Sequence, residues 1–154
     1  MIGPIVYLTD PSWTGTEKPA PLGTLRAHVD VTHGYQLYRW VKATALIPAN
    51  VAVQYADAVD GTGAKSAEQI PAIECAGFSQ NAIASGSYGW VCCHGNCTVT
   101  TDEAVDAGDP VLSSGAAGLV DDVAVGGLEH AILGIYPVAI GSATTGTARI
   151  SGLI

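Results

Sequence analysis

Positive charge is scarce in this sequence. Lys and Arg together number 6 against 14 Asp and Glu, a net charge of −8 at pH 7. The shortage is uneven. Residues 1–65 hold five bases (Lys18, Arg26, Arg39, Lys42, Lys65) and five acids (Asp10, Glu17, Asp30, Asp57, Asp60), whereas Arg149 alone faces nine acids in the remainder. An acidic surface repels phosphate backbones, which argues against a nucleic-acid partner. Long apolar runs are missing too. Ala131–Ile140 is too short to span a bilayer and is broken by Pro137, so no membrane partner is expected. Met1-Ile2-Gly3-Pro4 lacks the basic start of a secretory signal, which points to synthesis in a cytoplasm. Thiols would stay reduced there unless the finished protein leaves the cell. With one Phe and one Met, much of the 48% hydrophobic content is Ala and Val, beside 19 Gly and 8 Pro. That mixture suits short strands and many turns better than thick helices. A chain of 154 residues has room for one domain with its own core.

The densest strand signal lies between Asn81 and Ser114. After the breakers Gly86 and Gly89, the run Tyr88, Trp90, Val91, Cys92, Cys93 is aromatic and β-favouring. Gly95-Asn96 is a plausible tight-turn pair, and Thr98–Thr101 resumes strand chemistry, which predicts a hairpin. Ala107-Gly108-Asp109-Pro110 reverses the chain again before a short strand at Val111-Leu112.

The remaining segments extend the pattern. Residues 1–25, with four prolines and little periodicity, read as an extended arm whose large anchors are Tyr7 and Trp13. Those rings either hold a neighbouring chain or fold back on their own core. Residues 26–154 read as a single β domain. Arg26–Val41 alternates as two strands about a His33-Gly34 turn, with His28, Asp30 and Thr32 on one face and Ala27, Val29 and Val31 on the other. Ile47-Pro48-Ala49-Asn50 separates two strands, Ala64–Ile70 suits a short helical turn, and Pro71–Phe78 is a further strand. Asp121–Gly127 reads as an exposed acidic loop, and Thr147–Ile154 closes the chain as a strand with Ala148 and Ile150 opposed to Arg149. Tyr38-Arg-Trp-Val41 and Tyr88-Gly-Trp-Val91 echo one another, as shared strand chemistry would also produce.

Chemistry-bearing constellations are few. Cys92, Cys93, His94 and Cys97 are the one cluster of soft ligands and the weak candidates for a metal, with Cys75 in reserve. Adjacent strand residues point to opposite faces, so Cys92 and Cys93 need a bulge to converge on one ion. Buried apolar thiols are the simpler reading, and a Cys93–Cys97 bridge across the turn, or one from Cys75 to a nearby cysteine, is an alternative. His28 and His33 have no partner at ligand spacing. Ser87, Ser113 and Ser114 lie outside any nucleophile elbow, and His94 or His130 would need a tertiary meeting to act as a base. Gly61–Ser66 departs from the spacing of a phosphate loop. The pairs Asp102-Glu103, Asp106/Asp109 and Asp121-Asp122 lack an EF-hand pattern and read as solvated loop charge. No catalytic residues and no cofactor are expected, and the chain is not expected to be an enzyme.

The run Ala82-x-x-Ser-Gly-x-Tyr-Gly-Trp-Val91, then Ala107-Gly-Asp-Pro-Val111, Gly118-Leu-Val120 and the closing segment from Gly134 to Ile154 resemble the cement or decoration proteins of tailed-bacteriophage heads. The resemblance covers roughly residues 35–154. It implies an all-β domain, a small β-barrel or β-sandwich, commonly homotrimeric. It further implies a place on the outer capsid surface of the virion after synthesis in the host cytoplasm. There the protein would bind the major capsid protein and stabilise contacts between its subunits. Tyr7 and Trp13 are then the expected capsid or subunit contacts. The rival reading is a glycan- or receptor-binding β module of a phage fibre or adhesin, with exposed aromatics stacking on sugars.

Overall fold

In the computed structural model, residues 10–18, 20–55, 64–66, 75–113, 118–122 and 132–151 are described. Every regular element among them is a β-strand: β1 Thr14–Gly15, β2 Leu25–Asp30, β3 Gly34–Lys42, β4 Ala52–Tyr55, β5 Ala64–Ser66, β6 Cys75–Ser79, β7 Tyr88–Thr100, β8 Pro110–Ser113, β9 Val120–Asp121, β10 Gly134–Ile135 and β11 Thr145–Ile150. The all-β expectation holds. All strand pairs are antiparallel, in the order β5-β4-β6-β7-β11-β10-β8-β9, with β1 and β3 also on β7 and β2 on β3. Among the described residues no helix is long and apolar enough to cross a membrane.

The sheet is assembled around β7. Its first part pairs with β3 from Tyr88↔Lys42 to Gly95↔Gln36, and its second part pairs with β11 from Gly95↔Ile150 to Thr100↔Thr145. Gly95-Asn96 is therefore not a hairpin turn, as the sequence predicts, but a bend inside one 13-residue strand. The cause is visible at Gly95. Its φ of +97° is a conformation L side chains rarely adopt, and a Cβ there would collide with the Tyr35 carbonyl oxygen. Glycine lets β3 pass close while the strand changes direction and partner. The Ala64–Ile70 helical turn is also corrected, since Ala64–Ser66 pairs with β4 as a strand and residues 67–70 lie outside the described residues.

Around the first part of β7 both faces of the sheet are covered. Tyr38, Trp40, Trp90 and Cys92 belong to one apolar cluster, with Cys97, Val99, Ala148, Ile150, Leu133 and Tyr136. Their immediate neighbours Val41 and Val91 belong to a second, with Ile47, Val53, Ala76 and Ile83. That explains the unbroken burial from Gly89 to Cys93, where alternation alone would predict one wet face. The two Tyr-x-Trp-Val tetrapeptides meet across the ladder: Trp40 stands opposite Trp90, ring centroids 4.8 Å apart. Asp121, expected in an exposed loop, is a buried strand residue, while residues 123–131 lie outside the described residues.

Candidate functional site

The four candidate ligands separate locally. Leu37 pairs with His94 but Tyr38 pairs with Cys92, so Cys93 is the extra residue of a β-bulge. One extra residue shifts the parity of the strand, and the bend at Gly95 shortens it. Cys92 and Cys97 are thereby brought to a Cα separation of 6.5 Å and joined by a disulfide, where five fully extended residues would span about 16 Å. The bridge is Cys92–Cys97, in place of the Cys93–Cys97 or Cys75 pairings weighed from sequence. The bulge and the bend that permit it leave no mark in residue spacing. Cys75 and Cys93 stay free and buried. Cys93 Sγ donates to the Leu37 carbonyl at 3.4 Å. Burial pushes the Cys75 thiol up to about 12 and raises that of Cys93. Bonded to each other, Cys92 and Cys97 offer no thiolate to a cation. Among the described residues no three His, Cys, Asp or Glu side chains cluster to hold one.

His94 has a different setting. It lies with Gly95 and Asn96 at the bend, beside the β2–β3 turn (His33, Gly34, Tyr35) and the end of β11 (Arg149, Ile150, Ser151). Together these residues line an open cleft of about 390 Å³. Side-chain bonds tie its three walls together. Gln36 Nε2 donates to the Asn96 carbonyl at 2.5 Å, and Asn96 Nδ2 donates to the His33 carbonyl at 3.2 Å. Arg149 Nε donates to Asn96 Oδ1 at 3.4 Å, and the Tyr38 hydroxyl to Gln36 Oε1 at 3.2 Å. The Tyr35 ring stands edge-on to His94, centroids 6.5 Å apart. His94 Nδ1 is buried with no hydrogen-bond partner among the described residues.

Among the described residues no carboxylate lines this cleft. The nearby Asp30 is occupied: Oδ1 accepts from the backbone N–H groups of Thr32 and His33 at 2.6 Å each, and Oδ2 lies 3.2 Å from His33 Nδ1. These bonds, led by the His33 backbone N–H, hold the Asp30 carboxyl below its ordinary range. Sequence reasoning passed over Tyr35, Asn96 and Arg149 as site residues. The signal that finds one of them is charge: the single base of the acidic half of the chain stands in this cleft.

Of the expected contact residues, Tyr7 lies outside the described residues. Trp13 is partly buried against its own chain, its ring stacked on Trp40 at 5.4 Å and 25°. Trp40 in turn stacks on Tyr88 at 6.0 Å and 8°. Ser87 is buried, and His28 packs edge-on against Tyr38 at 6.2 Å. Leu25, Val29, Val31 and Tyr35 form an exposed apolar row on the β2–β3 hairpin.

No protein-family model matches the chain, and no curated protein matches it. Among solved structures it is similar in fold to the head fiber gp8.5 N base in bacteriophage phi29. The TM-score is 0.54 with 15% identity, over 75% of this chain and 94% of that one.

Proposed function

We propose that this chain is a non-enzymatic structural protein of a bacteriophage head. It binds the outer capsid surface, assembles as a homotrimer and stabilises contacts between major capsid protein subunits. The observation that carries the reading is the fold likeness to a phage head fiber base, which spans nearly all of that structure. Fold alone is an analogy. The surface adds a physical reason: an apolar row on β2 and β3 faces outward, on a strand that pairs only with β3 among the described residues. Repeated over a symmetric shell, such modest contacts combine into high occupancy without any single strong interface.

The fiber identity of that neighbour favours a second reading, a glycan- or receptor-binding module carried by a head fibre. Copy number separates the two. Quantitative mass spectrometry of purified virions should find the chain in a fixed, high ratio to the major capsid protein if it is a cement. A few copies per particle support the fibre module, and absence from virions overturns both.

A further inference from the structure

We propose that the cleft between the β2–β3 turn, the β7 bend and the end of β11 binds an acidic monosaccharide, with its carboxylate on Arg149 and its ring against Tyr35. The proposal takes its biological setting from the fibre reading, but its geometry is independent of how many copies a virion carries.

Four observations converge on this ligand class. The first is charge. On a chain with 14 acids and 6 bases, this cleft is lined among the described residues by Arg149, His33 and His94 and by no Asp or Glu. Arg149 is exposed, Nε is its only hydrogen-bonding atom, and it makes no ion pair among the described residues. Among the described residues its terminal nitrogens have no partner, and they can meet a carboxylate as a planar, charge-assisted pair. Asp30, the nearby carboxylate, is already engaged by the turn it closes.

The second is the wall opposite the charge. Tyr35 is 54% exposed although it is aromatic and rooted in a strand. An exposed ring beside donors is what a sugar face stacks on. The third is polar lining: His94, whose buried Nδ1 has no hydrogen-bond partner among the described residues, Asn96 and the exposed Ser151 line the cleft and suit a hydroxyl-rich ligand better than an apolar one.

The fourth is preorganisation. Asn96 receives Gln36 and Arg149 and holds the His33 carbonyl, while the Cys92–Cys97 bridge closes the bend on its far side. A site fixed before binding loses little entropy when the ligand arrives. At about 390 Å³ the cleft sits near the small end of ligand sites, which run from about 300 to 1,000 Å³. That size favours one sugar over an oligosaccharide.

The test uses the full chain, isotopically labelled, titrated at pH 7 with glucuronic acid, glucose, acetate and inorganic phosphate. Glucuronate should shift the resonances of Tyr35, His94, Asn96 and Arg149 together, binding at least tenfold tighter than glucose, acetate or phosphate. R149Q should weaken glucuronate about tenfold, the loss of one charge-assisted pair. Y35A should weaken glucuronate while leaving the weak acetate response unchanged. Both side chains are exposed, so the fold is expected to survive, and the amide spectrum of each variant checks it. The proposal is overturned if glucuronate shifts none of these residues. It is equally overturned if acetate or phosphate binds as tightly as glucuronate, or if R149Q binds like the parent chain. Retention of R149Q on purified shells would tell a failed cleft from a failed capsid role.

Discussion

β2 and β7 carry the same two-residue alternation and meet opposite fates. In β7 both sets of side chains are inside from Gly89 to Cys93: Trp90 and Cys92 enter one apolar cluster and Val91 the other. In β2 the apolar set is outside: Val29 is 70% exposed, while Arg26, His28 and Asp30 occupy the partly covered face. Alternation therefore separates a strand into two faces without saying which one turns inward. Strand position decides that. That part of β7 has neighbours on both edges and a layer on each face, so even Gly89 is enclosed. β2 is joined through β3 alone, and its polar face lies against the sheet because His28 packs edge-on to Tyr38.

Breaking the β7 side of this comparison should have the largest effect. Trp40 is fully buried among Trp13, Tyr88 and Trp90. W40A removes the centre of that stack and should cost about 3–5 kcal/mol, read as a fall in the urea midpoint. The same loss should loosen the segment containing Trp13, whose ring would lose its stacking partner. Faster amide exchange at Thr14 and Gly15, which pair with Gly89 and Tyr88, would report it. A midpoint within error of the parent would show that the stack is not the centre of the fold.

The next effect belongs to the bend. The Cys92–Cys97 bridge closes a short loop, so in the chain-entropy picture it should contribute about 2 kcal/mol. Reductant should lower the stability of the parent chain, read from its urea midpoint, by that amount and leave the C92A/C97A double variant unmoved. In the native state without reductant, an alkylating reagent should label neither Cys75 nor Cys93. Both are buried, and burial raises both thiols, Cys75 to about 12. Rapid labelling of either would contradict the packing described for the bulge.

These elements also mark how far the chain could be read unaided. The all-β class, the β2–β3 turn at His33-Gly34, the reversal before Pro110 and the inward Ala148 and Ile150 all follow from local chemistry: glycine and proline placement, and strand alternation. The bend did not, because Gly95-Asn96 satisfies a hairpin turn and a bent strand equally well. Which occurs depends on Tyr35 and Ile150, some 60 and 55 residues away along the chain. The disulfide partner was lost for the same reason, since a bulge is a property of two strands together. The cleft draws its walls from three distant segments, so only the isolation of Arg149 among acids hinted at it.

A third effect is smaller and depends on pH. Asp122 follows the buried edge strand β9, and its carboxyl is pushed up to about 6. Desolvation is the first cause, followed by hydrogen bonding with and repulsion from Asp121 and Asp109. An acid whose folded pKa exceeds its ordinary 3.8 binds more protons folded than unfolded between those values. Its contribution to stability is then greatest below about pH 4, declines as pH rises through about 6 and stays low above that. Asp10 and Asp30 act in the opposite sense. Hydrogen bonds to Ser12 lower the first and bonds led by the His33 backbone N–H lower the second, so their contribution disappears at more acidic pH. D122N isolates the rising branch: its melting temperature should gain on the parent between pH 4 and 6 and keep a constant lead above. A lead that is the same at every pH would show that Asp122 titrates normally.

The smallest effect on folding should come from β2, and it is the one that bears on function. Val29 stands opposite Tyr35 on the outer face and contributes little to either apolar cluster. V29K should therefore change stability, read from the urea midpoint, by no more than about 0.5 kcal/mol. Its effect on assembly should be the reverse. A lysine placed in the centre of an apolar contact must be desolvated whenever a neighbour docks, so sedimentation should show the proposed trimer lost while each chain stays folded. W40A perturbs the chain from within, whereas V29K leaves the monomer intact and changes only what it presents to neighbours. If V29K assembles as fully as the parent, the outward apolar row is ordinary surface, and the self-contact must be sought on another edge of the sheet.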